Sequence, residues 1–237
     1  MDDHILFSMQ VTSVVLYVFS IFSIKRFMKD REPLKLQLPV LIWNFSIAIV
    51  SGLCAAAMTE EYFESTLTKG FNASLCSTRK EFFSGTNGFA VFVFLFARIL
   101  AFSDTFFIVL RKQPLHFFHW YHHAFTLYIS WFGYSGASPS SRHAIYFNAV
   151  VHTALYSYFF LTSINIRPPK IIGRWIMMAE ILHFFFILYA LIHVTYLAHV
   201  MKEPCQIEPY SLVITWFMDL SYLYLFIDYF VNNSPRK

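Results

Sequence analysis

Runs of roughly 20 mostly apolar residues recur along this chain from one end to the other, and no other feature limits its fold as strongly. A segment of that length in lipid must satisfy every backbone N–H and C=O within itself, so the α-helix is the spanning structure it can adopt. Seven such runs are read, at about 5–24, 36–58, 89–110, 115–135, 143–163, 172–198 and 210–231. The composition agrees: 57% of the 237 residues are hydrophobic and only 14% are charged, against about a quarter charged in a soluble domain. The expectation is an all-α polytopic membrane protein with seven transmembrane helices, forming a single membrane-embedded domain over 1–237. No internal repeat or low-complexity tract interrupts it.

Basic residues give the orientation. Alternate loops hold Lys25, Arg26, Lys29, Arg31 and Lys35; Arg111 and Lys112; Arg167, Lys170 and Arg174; and Arg236 and Lys237. The other side holds only Lys69, Arg79, Lys80, Arg142 and Lys202. The N-terminus is therefore expected to be luminal and the C-terminus cytosolic, and the net charge of +4 is a topology signal with no nucleic-acid partner. The start MDDH lacks a basic n-region and reads as the beginning of a retained first helix. Cys76 and Cys205 both fall on the oxidising side and are expected to form a disulfide, whereas Cys54 sits inside the second span. Asn72-Ala73-Ser74 is a glycosylation sequon on that same face.

Ionisable groups at membrane depth are costly and mark function. His119, His122 and His123 share one helical face at i, i+3 and i+4, about 5–12 Å in from the cytosolic end of the fourth span. Asp104 lies at about 9 Å on the third span, and Glu180 and His183 at about 12–17 Å on the sixth. His152, at comparable depth on the fifth, shares a face with Asn148. Asp104 is read either as orienting a histidine of the box or as capping a helix turn with Thr105. Arg98, Glu180 and His183 are read as a buried ionic cluster, Asp219 and Asp228 as packing partners, and His4, His116 and His143 carry no assigned role. A site opening to the cytosol is the natural reading.

Two chemistries suit such a cluster. Histidine boxes hold two irons in membrane desaturases and hydroxylases, but only one HxxHH box exists here and no second one completes a ligand set. The alternative is acyl transfer, in which a neutral imidazole attacks a thioester and a neighbouring imidazole moves protons. Lipid acyl chains are the substrates this location favours. A seven-helix receptor or transporter with a polar core is the non-enzymatic alternative.

Several motifs, in order, resemble the ELO family of fatty acid elongases, the very-long-chain 3-oxoacyl-CoA synthases. They are REPLKLQLPVLIWNFSIAIVSG (31–52), SDTFFIVLRKQ (103–113), LHFFHWYHH (115–123), NAVVHTALYSYFF (148–160) and SYLYLFIDYF (221–230). The resemblance implies condensation of a long-chain acyl-CoA with malonyl-CoA, releasing CO2 and CoA. It implies His122 as the nucleophile that carries the acyl group and His152 as its partner, supported by His119, His123 and Asp104. Arg111 and Lys112 would meet the CoA phosphates, and Asn148, Tyr156, Glu180 and His183 would line the substrate site. No metal or redox cofactor is expected. The expected partners are the lipid bilayer, the reductases and dehydratase of the elongation cycle, and a second copy of the chain in a homo-oligomer. The expected location is the endoplasmic reticulum membrane, although the tail SPRK lacks a dilysine retrieval signal.

The HWYHH form of the box, and the LCSTRKEFFSG region around Cys76, are most similar to the branch acting on saturated and monounsaturated chains. The chain departs from the family pattern at Arg98 and Ala101, which stand where Lys and Glu are usual. It departs again at Met177, Glu180 and His183, in place of a T-x-x-Q-x-x-Q element. An acid and an imidazole thus replace two amides, an exchange expected to re-tune the pocket.

Overall fold

The computed structural model describes residues 3–76, 82–136, 141–207 and 209–233. Arg79, Lys80, Arg236 and Lys237, the first two residues of the MDDH start, the SPRK tail and part of the LCSTRKEFFSG region lie outside them. Every regular element among the described residues is helical: α1 (Asp3–Phe27), α2 (Gln37–Phe63), α3 (Phe71–Cys76), α4 (Gly85–Leu100), α5 (Phe102–Leu110), α6 (Phe117–Gly136), α7 (Ser141–Ser163), α8 (Lys170–His199) and α9 (Pro209–Asn233). A π-helical turn, Glu64–Thr68, prolongs α2.

Length and composition suffice for membrane crossing in five stretches: Gln37–Thr68, Gly85–Leu110, Ser141–Ser163, Lys170–His199 and Pro209–Asn232. The protein is accordingly a multi-pass membrane protein. Large apolar side chains point outward along these helices, with Leu53, Phe89, Leu182 and Val213 all more than 60% exposed. A soluble protein would hide them, whereas a lipid-facing wall presents them.

Helix ends follow local chemistry. Pro209 opens α9 at the position where its missing N–H costs nothing, and Pro169 caps α8. The third expected span, read as one helix over 89–110, is two helices meeting at Ala101. There Asp104 N bonds to Ala101 O at 3.1 Å, a tightened three-residue step. The break lies between Arg98 and Asp104 and separates the helices that carry them.

Packing runs from neighbour to neighbour in a ring: α2 on α7, α7 on α8, α8 on α9, α9 on α6, α6 on α4 and α4 back on α2. α1 lies outside, against α5 and α6. The ring therefore encloses an interior lined by six helices, and the histidine box of α6 faces it. At one end, α3 is tied down by a disulfide between Cys76 and Cys205 and by Gln206 N bonding to Cys76 O at 3.1 Å. The same end is held by Arg142, which grips Glu61 through Nε at 3.0 Å and Nη2 at 2.8 Å.

Candidate active site

The i, i+3, i+4 spacing of the box has its expected effect on α6. The rings of His119 and His123 are 4.5 Å apart, and those of His122 and His123 5.6 Å. His122 packs against Tyr222 at 4.9 Å and Phe226 at 5.6 Å, both on α9. The Tyr222 hydroxyl donates to the His122 carbonyl at 3.0 Å, which fixes this part of α6 against α9. Tyr222 carries no chemical motif in the sequence, and only its place in the closing SYLYLF segment hinted at a site role.

His152 reaches the same interior from α7. Arg98 Nη1 donates to its Nε2 at 3.1 Å. With Nε2 accepting, the ring proton sits on Nδ1, and Nδ1 has no hydrogen-bond partner among the described residues. Nε2 of His119 and both nitrogens of His183 are likewise buried and unpartnered. His183 Nδ1 stands 4.0 Å from Glu180 Oε2. Arg98 thus supports His152 directly, a pairing the sequence reading missed when it grouped Arg98 with Glu180 and His183.

Asp104 does not orient a histidine of the box. Trp43 Nε1 donates to its Oδ1 and the Tyr156 hydroxyl to its Oδ2, so both oxygens are occupied. Nor does Asp104 share a turn cap with Thr105, which bonds to Tyr17 at 2.7 Å. The break at Ala101 puts Asp104 on a separate short helix, facing α2 and α7. Trp43 had no signal in the sequence beyond its place in the 31–52 motif.

Lys112 also departs from expectation. Its ammonium donates to the carbonyls of Lys29 and Arg31, each at 2.9 Å, and so staples the end of α1 to the end of α5. It does not border the interior, whereas Arg111 does.

Two cavities fill the ring. The larger, of about 560 Å³, is lined by His119, His123 and His152 together with Asp104, Tyr156, Glu180 and Arg111. The smaller, of about 120 Å³, extends toward the disulfide end and is walled mainly by Phe94, Leu95, Ile145, Phe184, Ile187 and Leu191. Asn148, His183 and Arg98 also border it. Among the described residues His122 alone borders both cavities. No group of three His, Cys, Asp or Glu side chains among the described residues is arranged to share a metal ion.

At the disulfide end, the Asn72 side chain is exposed and its Oδ1 accepts from His193 Nε2 at 2.7 Å. Ser74 of the same sequon is 1% exposed, and its hydroxyl donates to Phe71 O at 2.7 Å.

The helical ring thus encloses a histidine cluster between a larger cavity, which holds most of the ionisable side chains, and a smaller, largely apolar one. The chain belongs to the ELO: GNS1/SUR4 family, which it matches over residues 5–237. It is 38% identical over 231 residues to long chain fatty acid elongase 1 of Caenorhabditis elegans, covering 98% of this chain and 79% of that protein. Long chain fatty acid elongase 2 of the same organism is 32% identical over 222 residues, 93% of this chain and 81% of the relative. Very long chain fatty acid elongase 3 of Homo sapiens is 31% identical over 222 residues, covering 94% and 81%.

Proposed function

We propose that this chain condenses a long-chain acyl-CoA with malonyl-CoA to a 3-oxoacyl-CoA, and that His122 carries the acyl group between the two half-reactions. The chain is an enzyme of the fatty acid elongase type, as its family and its relatives indicate. The observation that carries the role of His122 is its position on the boundary between the two cavities. A nucleophile there meets a thioester whose CoA portion occupies the larger cavity, with its ionisable side chains, and whose alkyl tail enters the apolar one.

In the first half-reaction an imidazole nitrogen of His122 attacks the thioester carbonyl. The C–S bond breaks, CoA leaves as the thiol, and an acyl-imidazole forms. In the second, malonyl-CoA loses CO2, and the carbanion left behind attacks the acyl carbonyl and releases the imidazole. Decarboxylation generates the nucleophile, so the reaction draws on no redox cofactor. His152, held by Arg98, is the neighbouring base or proton donor. His119 and His123 extend the polar wall. Asp104 acts by positioning Tyr156 and Trp43 beside that wall. Arg111 is the basic group placed to meet CoA phosphates.

The same reading takes α1 and α6 as spans that complete a set of seven. It orients the chain with the disulfide end luminal and the CoA chamber cytosolic, in the endoplasmic reticulum membrane. The asymmetry of basic residues supports this, as does the Cys76–Cys205 disulfide, which belongs on an oxidising side. The exposed Asn72 side chain would then lie on the luminal face, open to glycosylation. Chains with a saturated or monounsaturated carbon backbone are the proposed substrates, with the box form HWYHH as support.

The test is incorporation of ¹⁴C-malonyl-CoA by membranes bearing the wild-type chain or His122→Ala, across acyl-CoAs of increasing length. Incorporation by the wild type alone is expected, with a maximum at one range of chain length. Equal incorporation by the variant would remove His122 from the reaction.

A further inference from the structure

Asp219 on α9 is 1% exposed, and neither of its carboxyl oxygens has a hydrogen-bond partner among the described residues. It borders the smaller, mainly apolar cavity. The nearby hydroxyl donors are already committed. The Thr215 hydroxyl, one turn away, donates to Ser211 O at 2.8 Å. The Tyr222 hydroxyl donates to His122 O, and Thr126 sits on the same hydroxyl at 2.9 Å. Arg98 faces the same cavity, but its Nη1 is spent on His152, and it forms no ion pair with Asp219. A buried carboxyl group left unmet costs far more than the net gain from an ordinary hydrogen bond. The cavity's occupant is therefore the natural source of the missing donor.

We propose that Asp219 receives a hydroxyl group carried on the acyl chain, so that the apolar chamber prefers a hydroxylated acyl-CoA. This rests on the acyl-transfer reading of His122. A chain held on His122 enters the cavity beside Tyr222. Asp219 lies three residues earlier on the same helix, about 4.5 Å further along its axis. An unsubstituted alkyl chain passing that point brings no donor and strands the carboxyl group, whereas a hydroxyl at the matching carbon satisfies it. A site built to bond a substrate hydroxyl discriminates strongly against the analogue that lacks one.

The experiment compares palmitoyl-CoA with its derivatives hydroxylated at successive chain positions, for the wild type, Asp219→Leu and Asp219→Asn. The readout is the ratio of kcat/KM for each hydroxylated chain to that for the plain chain, which does not depend on the amount of folded protein. In the wild type the ratio is expected to peak at one hydroxyl position by about ten- to a hundred-fold. Asp219→Leu should flatten that peak, and Asp219→Asn, which keeps an acceptor oxygen, should retain part of it. A flat wild-type profile, as would follow if a water satisfies Asp219, overturns the proposal, and so does a peak that survives Asp219→Leu. Thermal stabilisation of the purified chain by the same acyl-CoAs gives a second readout independent of turnover. If no acyl-CoA is elongated, the acyl-transfer reading falls by itself, and hydroxyl-dependent stabilisation that Asp219→Leu abolishes still decides the binding claim.

Discussion

Arg142, His143, Tyr62 and Glu61 at the disulfide end, and Arg98, His152, Tyr156 and Asp104 near the histidine box, are the same four kinds of side chain in one ring of helices. At the disulfide end every valence is used. Arg142 holds Glu61 and donates to Ser74 O at 2.6 Å. Ser74 spends its proton on Phe71 O, so His143 Nε2 donates to the serine oxygen at 3.0 Å, and His143 Nδ1 accepts from the Tyr62 hydroxyl at 3.3 Å. None of the four borders either cavity. Near the box, the side-chain hydrogen bond of Arg98 goes to a histidine, Nδ1 of His152 is left over, and all four border a cavity: His152, Tyr156 and Asp104 the larger, Arg98 the smaller. Buried polar groups in a fold are ordinarily satisfied. The closed set fits a structural role, and the open set facing a cavity fits the substrate site proposed above.

This contrast can be broken at several points. The largest effect is expected from His122→Ala, which should lower condensation by at least about a thousand-fold while leaving the melting temperature nearly unchanged. A large loss of stability would make the box structural like its counterpart. Arg142→Met should do the reverse. It strands Glu61 and should destabilise the chain by about 3–5 kcal/mol, with the turnover of each folded molecule preserved. Unfolding followed in detergent, together with activity normalised to folded protein, separates the two outcomes. Replacing Cys76 and Cys205 by serine opens a link across 129 residues and should cost about 2–4 kcal/mol, again with turnover retained.

The smallest effect sharpens the comparison within the open cluster. Changing Glu180 and His183 together to glutamine should alter rate, pH profile or chain-length profile by a few-fold, with stability shifting by about 1 kcal/mol or less, because His183 has no hydrogen bond to lose. If rate, pH profile and length profile all stay as they were, the acid and imidazole are not tuning the pocket.

Much of this was legible in the sequence. Lipid leaves a spanning segment few options, so the helix positions followed from apolar length, and the box histidines shared a face because helical periodicity requires it. His122, His152 and Asn148 all border the cavities within the ring. Pairing across helices was not legible. Nothing local told Asp104 to choose Tyr156 and Trp43 over a histidine, or turned Lys112 back onto the carbonyls of Lys29 and Arg31. The break at Ala101 has no proline or glycine to announce it. His143 and Arg142 looked like residues at a helix end, and their closed network depends on α3, too short to be read from periodicity. Asp219 reads as a packing partner in the sequence, because nothing local shows that its carboxyl lacks a hydrogen-bond partner among the described residues.

The most direct measurement is mass spectrometry of the intact, purified chain after incubation with an acyl-CoA in the absence of malonyl-CoA. One acyl group per chain is expected, located on His122 by peptide mapping, absent from His122→Ala and discharged as 3-oxoacyl-CoA when malonyl-CoA is added. An unmodified chain that still condenses both substrates, or an acyl group on another residue that is discharged in the same way, would contradict a histidine-borne intermediate at the junction of the two cavities.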